Sequence, residues 1–357
     1  MKNIILILIS LFIFSSCNFS LGDKLRGKDN LIWNGNELRN QKKYEEAIVY
    51  YDKAINAYPN SPDGYRDKGL ALEYSGKYEK AIESFNKAIP LDKSDPNVYL
   101  YKGRSLYSLE KYQEAIENFN KSIEVDPNPS GAYIYKGKSL YYLNKYQEAI
   151  ENFDKIPEEE RKFYNKYDNI YSYMGYSFYE LNKYQEAIDN FNKAIEGGMK
   201  SAFIFYKKGM SLHFLRKYEE AIESFDEVLK IDNNFSDAYY GKGLSYFYKE
   251  EDNHAMENFN KTIELNPKHP RAYYFKGLLL EKSLLNEKAI ENFNKAIDSD
   301  PEFSSPYYDK GRILFNLKRY DEAIVSLDKS IEIDPDEYSS YSLKGEILKM
   351  KGRERER

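Results

Sequence analysis

The sequence predicts an all-α solenoid of helix-turn-helix units, and three observations lead there. The stretch KYQEAIENFNK at Lys111–Lys121 returns as KYQEAIENFDK at Lys145–Lys155 and as KYQEAIDNFNK at Lys183–Lys193. An alanine recurs in register at 47, 81, 115, 149, 187, 221, 255, 289 and 323, every step being 34 residues except the 38 between Ala149 and Ala187. A glycine keeps the same phase from Gly35 through Gly311, with a tenth at Gly345. A fixed period of this size replaces the two or three globular domains that 357 residues would otherwise suggest.

With the recurring glycine at position 8, the alanine falls at position 20. Position 4 is Tyr or Phe from Tyr65 onward, and position 11 is apolar, as in Leu72, Leu106 and Leu140. Positions 4, 8 and 11 form one helical stripe, helix A. A second stripe at positions 17, 20, 24 and 27, as in Tyr112, Ala115, Phe119 and Ser122, is helix B. Gly76, Asn144 and Asn182 at position 15 suit a left-handed turn between them. Pro59, Pro127, Pro267, Pro301 and Pro335 at position 32 block continuation into the next unit. Small residues at 8 and 20 let the paired helices approach, and the aromatic at 24 fills the space beside them.

These residues resemble the tetratricopeptide repeat, with nine full units and a terminal half unit over residues 28–350. The resemblance implies a right-handed superhelical solenoid whose helices A line a concave groove. Two irregularities are expected. Between repeats 4 and 5 the chain carries KIPEEERKFYNKYDNIY, an insertion near 157–167, with Pro157 ending helix B of repeat 4 early. Repeats 7 and 8 have Asp252 and Asn286 in place of the position 17 tyrosine and should be the least regular. The single helix after Gly345 reads as a polar cover, followed by a charged tail at 351–357.

The amino terminus reads MKNIILILISLFIFSSC, with Lys2 before an apolar core and small residues before the only cysteine, Cys17. It resembles a bacterial lipoprotein signal peptide, with Phe14 where the usual motif prefers Leu. The resemblance implies a signal peptide at 1–16, lipidation of Cys17, a tether over 17–27, and a chain lipid-anchored in a bacterial envelope, at the periplasmic face or the cell surface.

A net charge of −5 supplies no basic field for nucleic acid. No Cys/His cluster has metal-ligand spacing, and no phosphate loop or nucleophile elbow is visible, so neither cofactor, metal nor catalytic residue is expected. Of His213, His254 and His269, only His213 should project inward. Recurrent acidic pairs such as Glu45–Glu46 begin helix B, where they favour the helix dipole.

Function is therefore expected from surface. In the family that the chain resembles, ligands meet mainly positions 2, 5, 9, 12 and 13. Here those positions hold Tyr107, Tyr141, Tyr142, Tyr176, Tyr179, Tyr206, Met210, Phe214, Tyr240, Phe247, Tyr248 and Tyr274. Of 36 tyrosines, 17 occupy positions 4, 11, 17 and 24, eleven occupy 5, 9, 12 and 13, and eight occupy all the others, a contrast that compositional drift would not produce. Positions 5 and 9 can also bury against neighbouring helices, which makes 12 and 13 the cleaner evidence. Charges at the same positions nearly cancel, and Arg104, Lys138 and Arg312 are candidates for setting ligand register. No repeat carries Lys at position 5, so the clamp used by chaperone-tail binders of this family is missing. The expected activity is a membrane-tethered scaffold binding an extended peptide or a partner helix on an aromatic groove, in envelope assembly, secretion or surface organisation. The alternative is a glycan or cell-wall-fragment binder using the same tyrosines.

Overall fold

The computed structural model describes residues 27–127 and 129–355. The signal peptide, Cys17 and all of the tether except residue 27 lie outside the described residues. Every regular element described is a helix. One compact unit runs to Leu181 and a second begins at Asn182.

In the first unit the helices are α1 (27–40), α2 (Tyr44–Ala57), α3 (Pro62–Tyr74), α4 (Tyr78–Ala88), α5 (Pro96–Ser108), α6 (Tyr112–Val125), α7 (Ser130–Tyr142), α8 (Tyr146–Asp154), α9 (Glu158–Asp168) and α10 (Ile170–Glu180). In the second they are α11 (Tyr184–Glu196), α12 (Ala202–Phe214), α13 (Tyr218–Ile231), α14 (Ser236–Tyr248), α15 (Asp252–Leu265), α16 (Pro270–Lys282), α17 (Asn286–Ser299), α18 (Ser304–Asn316), α19 (Tyr320–Ile333) and α20 (Tyr338–Arg355).

Helix A starts at position 1 of the repeat wherever the period is unbroken from α3 on. Pro62, Pro96 and Pro270 sit there because a missing N–H costs nothing in a first turn. Asp95, Ser201 and His269 cap by accepting from backbone N–H groups two or three residues ahead. Helix B starts at position 17. Between the two, position 15 has positive φ in every repeat, not only at Gly76, Asn144 and Asn182 but also at Lys42, Glu110, Arg216, Glu250, Leu284 and Lys318. The turn at Gly76 shows why: its N–H donates to Glu73 O and the Lys77 N–H to Leu72 O, both at 2.9 Å, closing the end of α3. Tertiary closure sets the backbone, and the residue type follows only where it can.

The glycine at position 8 is required by the aromatic at 24. A Cβ added at Gly69, Gly103 or Gly277 would stand 2.5 Å from the ring of Phe85, Phe119 or Phe293 respectively. Those phenylalanines are fully buried, as are Phe153, Phe191, Phe225 and Phe259. Burial of one such ring per repeat, at about 1.5–3 kcal/mol each, is the main term holding helix A to helix B. Helices of 13 and 14 residues gain their stability from this packing rather than from propensity.

The insertion is a helix of its own. As expected, α8 stops after nine residues, with Pro157 beyond it. Three glutamates in the first turn of α9 favour the helix dipole. Arg161 pairs with Asp154 at 2.5 Å and Glu158 at 2.9 Å, while Tyr171 donates to Glu158 at 2.9 Å, tying α9 to α8 and α10. Asn169, in the left-handed region, makes the corner into α10.

Two expectations are corrected. Repeats 7 and 8 are as regular as repeat 3, with helices of 13 and 14 residues, because Gly243–Phe259 and Gly277–Phe293 preserve the packing that position 17 does not provide. Residues 351–355 are not tail but the last turns of α20.

Candidate functional site

The aromatic side chains are organised by one recurring contact. A tyrosine opening helix B at position 17 meets the aromatic that ends the next helix A at position 13. In the first unit this joins Tyr44 to Tyr74, with ring centroids 6.0 Å apart, and Tyr112 to Tyr142 at 4.9 Å with planes only 7° apart. In the second it joins Tyr184 to Phe214 at 4.8 Å and Tyr218 to Tyr248 at 6.1 Å. The position 13 rings stay open to solvent: Tyr74 is 47% exposed, Tyr142 45%, Phe214 47% and Tyr248 53%. Where repeat 7 has Asp252, the same slot holds an ion pair to Lys282 at 2.7 Å. An exposed pair of that kind conserves the geometry while removing the aromatic face.

Behind the open rings of the first unit lies a packed tyrosine layer. Tyr107 contacts Tyr112, Tyr135 and Tyr142 at 5.6, 5.5 and 6.0 Å, and Tyr141 contacts Tyr146, Tyr173 and Tyr176 at 5.7, 5.3 and 6.1 Å. The hydroxyls of Tyr142 and Tyr173 are 3.0 Å apart. Burial pushes Tyr107, Tyr173 and Tyr176 well above the usual tyrosine range and Tyr141 up to about 12. These hydroxyls are therefore neutral hydrogen-bonding groups at any physiological pH. Tyr179 is half-buried on the same helix as Tyr176.

The polar candidates are held within the fold. Arg104 pairs with Glu73 at 2.9 Å and lies over Tyr74, Tyr101 and Tyr135. Burial pushes Glu73 up to about 7 although Arg104 opposes the shift. Lys138 is buried over Tyr135 at 4.7 Å and Tyr173 at 5.7 Å. Arg312 grips both oxygens of Glu281 at 2.7 and 2.8 Å and also Asp309. Arg104 and Arg312 thus have carboxylate partners in the preceding repeats, and Lys138 packs on tyrosine rings, so all three candidates for ligand register are also engaged within the fold.

In the second unit, position 5 is packing. Tyr206 lies against Phe225 and Phe235, and Tyr274 contacts Phe293 and Phe303 while donating to Asp309 at 2.9 Å. Tyr240 is only 8% exposed, enclosed by Phe259, His269 and Phe275. Tyr240 is corrected from groove contact to inter-repeat core, while Tyr206 and Tyr274 are half-buried against the same packing, because position 5 faces the next repeat. Phe247 is half-buried against Phe275 and Tyr248, and Met210 is buried. His213 does not project inward but is buried beside Phe214, Tyr218 and Tyr248, with Nδ1 3.0 Å from Ser245 Oγ. Burial lowers it to about 4, so it is a neutral packing residue.

Tyr101, Tyr135 and Tyr173 were outside the sequence-derived site. All three occupy position 6, which shares a helical face with 9 and 13, and three of the eight otherwise unassigned tyrosines falling there was the available signal. Tyr112 and Tyr146, which position 17 makes part of the scaffold, also support the open face, Tyr112 through Tyr142 and Tyr146 through Tyr141. Among the described residues no group of three or more His, Asp or Glu side chains is placed to hold a metal ion, and no helix is long and apolar enough to cross a membrane.

No curated protein sequence matches the chain. Among solved structures, the anaphase-promoting-complex hetero-tetramer Cut9–Hcn1 matches at 18% identity and a TM-score of 0.51, covering 85% of this chain and 59% of that one. The chain therefore spans about three fifths of that relative. Yeast Tom70 matches at 18% identity and a TM-score of 0.46, over 91% of this chain and 81% of that one. A family profile for anaphase-promoting complex, cyclosome, subunit 3 matches residues 40–122 and, overlapping, 75–156. The profile of the tetratricopeptide repeat protein 21 N-terminal ARM repeat matches residues 127–324, more than half of the sequence. Together with the helix pairs closed by glycine 8 on aromatic 24, that match identifies the chain as a member of this family, a helical-repeat protein of the tetratricopeptide type.

Proposed function

We propose that the protein is a membrane-tethered interaction scaffold that captures an extended protein segment, or a helix of a partner, on its open tyrosine faces. One observation carries this reading. Tyr74, Tyr142, Phe214 and Tyr248 are each backed by a second packed ring, yet each remains about half exposed. A ring held in place on one face and solvated on the other offers contact area at little entropic cost on binding. Tyr107 and Tyr141 support Tyr142 from behind, Tyr176 packs on Tyr141, Phe247 supports Tyr248, and Tyr179 adds a half-buried ring on the helix of Tyr176. Neutral hydroxyls add hydrogen bonds without the desolvation cost of a charge. Tethering rests on the sequence ending in Cys17: acylation there would hold the repeats at a membrane surface, in keeping with a role in the bacterial envelope.

Titration calorimetry against a library of unstructured peptides and against cell-wall fragments tests the binding class. Saturable peptide binding supports the reading; saturable binding to wall fragments alone replaces it with glycan recognition. Substituting Cys17→Ala tests the tether by membrane fractionation, and a variant that stays with the membrane contradicts lipid attachment.

A further inference from the structure

One inter-repeat ion pair occurs in both units and is used in two ways. An arginine at position 9 meets the glutamate at position 12 of the preceding repeat, as Arg104 to Glu73 in the first unit and as Arg312 to Glu281 in the second. Arg312 is saturated. Its Nη1 and Nη2 donate to the two oxygens of Glu281 at 2.7 and 2.8 Å, and Nη2 and Nε also donate to Asp309 at 2.7 and 3.3 Å. Arg104 instead meets Glu73 through Nε, at 2.9 Å, and leaves Glu73 Oε2 buried without a hydrogen-bond partner. The terminal Nη1 and Nη2 of Arg104 donate to no group among the described residues, and neither is sealed from solvent, the side chain being 22% exposed.

The neighbours account for the difference. Arg104 lies over Tyr74, Tyr101 and Tyr135, with ring centroids 5.9, 5.6 and 5.4 Å from its Cζ. These are position 13 of the preceding repeat and position 6 of its own and of the next. Around Arg312 the same three positions hold Lys282, Asp309 and Leu343. Aromatic faces compensate a guanidinium electrostatically without consuming its N–H groups. The rings therefore hold Arg104 in place while its outer fork stays unused. Glu73 offsets the charge only in part, because burial pushes its carboxyl up to about 7 and a share of it is protonated at neutral pH. Lys138, over the same Tyr135 ring at 4.7 Å, adds a second cation beside the site, and Arg39, whose charge reaches Tyr101, is met by Asp67 at 3.6 Å.

We propose that Arg104 binds a carboxylate of the captured protein segment, an Asp or Glu side chain seated on Nη1 and Nη2 while adjoining residues of the segment cover the open ring of Tyr74. The site rests on the segment capture proposed above and gives it a ligand chemistry. A planar fork with two free ends matches the two oxygens of a carboxylate. One negative charge suits the place better than the two of a phosphate, because Glu73 remains beside it. Arg312, with its fork closed on its own chain, has no such role.

The test titrates the full chain, in a nonionic detergent, onto an array of random unstructured peptides with acetylated and amidated ends. Each peptide is made as drawn, with its Asp and Glu changed to Asn and Gln, and with them changed to phosphoserine. The expected result is that peptides that bind carry Asp or Glu and lose affinity about tenfold or more as amides. That ratio is read on the wild type, without any variant. Glu73→Gln should keep it, and Glu73→Gln combined with Arg104→Met should bring it to one. Neither variant leaves a buried carboxylate unpaired, and circular dichroism checks that both fold. An arginine that only braced the fold would weaken acid and amide forms alike. Equal binding of acid and amide forms, preference for the phosphoserine form, or a ratio that survives the loss of Arg104 overturns the carboxylate site and leaves segment capture standing. No binding by any peptide in any form overturns segment capture itself, and this site with it.

Discussion

A methyl group on Gly69 would stand 2.5 Å from Cε1 of Phe85, inside the distance that real side-chain carbons approach. The glycine is thus one half of a fitted pair whose other half is a fully buried ring. Substituting Gly69→Ala is expected to destabilise the first unit by about 1–3 kcal/mol through overpacking. Gly345→Ala is expected to do the reverse, stabilising α20 by about 1 kcal/mol from helix propensity, because no ring closes on it within its own chain. Denaturant unfolding and amide hydrogen exchange of the two variants read both signs.

Leu284 is held at a φ of 61° and is 83% exposed, so its side chain contributes strain and little packing. Leu284→Gly should stabilise the α16–α17 pair by about 1 kcal/mol, since glycine takes the left-handed region without the Cβ penalty. Slower amide exchange in those two helices is the expected readout.

Glu73 and His213 should contribute to stability in opposite senses as pH falls. Glu73, in the first unit, is raised by burial from 4.5 to about 7, so it keeps its proton in the fold while the unfolded chain loses it. Its contribution is complete below pH 4.5 and is lost as pH rises toward 7, by roughly 3 kcal/mol. His213, in the second unit, is lowered by burial from 6.5 to about 4, so its contribution is present above pH 6.5 and is lost as pH falls toward 4, by roughly 3 kcal/mol. Hydrogen exchange at pH 5 and pH 7.5, compared with Glu73→Gln and His213→Gln, should show each dependence disappear in its own variant.

The phase of the repeat was legible to the residue, because glycine, alanine and aromatic positions are set by local helix geometry and recur often enough to read. The stripes at positions 4, 8 and 11 and at 17, 20, 24 and 27 located the two helices of each unit, and the structure starts them at positions 1 and 17. The inserted helix α9 was not foreseen: EEERKFYNKYD has no place in the period, and only Pro157 before three glutamates marked a helix start. The aromatic face was legible as a tyrosine excess but not in its layering. Tyr240 and Tyr248 look alike in sequence, yet one is 8% and the other 53% exposed, because position 5 faces the neighbouring repeat and position 13 stands at the helix end. The role of Tyr112 was hidden for a related reason. Its partner Tyr142 lies 30 residues away, in the next repeat, where no intrahelical spacing rule reaches.

The ring pairs make a separable prediction about stability. Tyr142→Ala removes a half-exposed ring and leaves the buried contact between Gly137 and Phe153 intact, so helicity by circular dichroism should be unchanged. The triple variant Tyr142→Ala, Tyr179→Ala, Tyr248→Ala should likewise fold while losing partner capture at least tenfold, about 1.4 kcal/mol or more.

The central claim, that the open rings meet a protein segment, is tested most directly by photocrosslinking in intact cells. A benzophenone amino acid is placed in turn at Tyr142, at Tyr248 and, as a control away from the rings, at Val325, which is 67% exposed. Mass spectrometry is expected to recover discrete protein segments crosslinked at 142 and 248 and none at 325. Equal capture from all three sites, or protein-free adducts at 142 and 248, would contradict it.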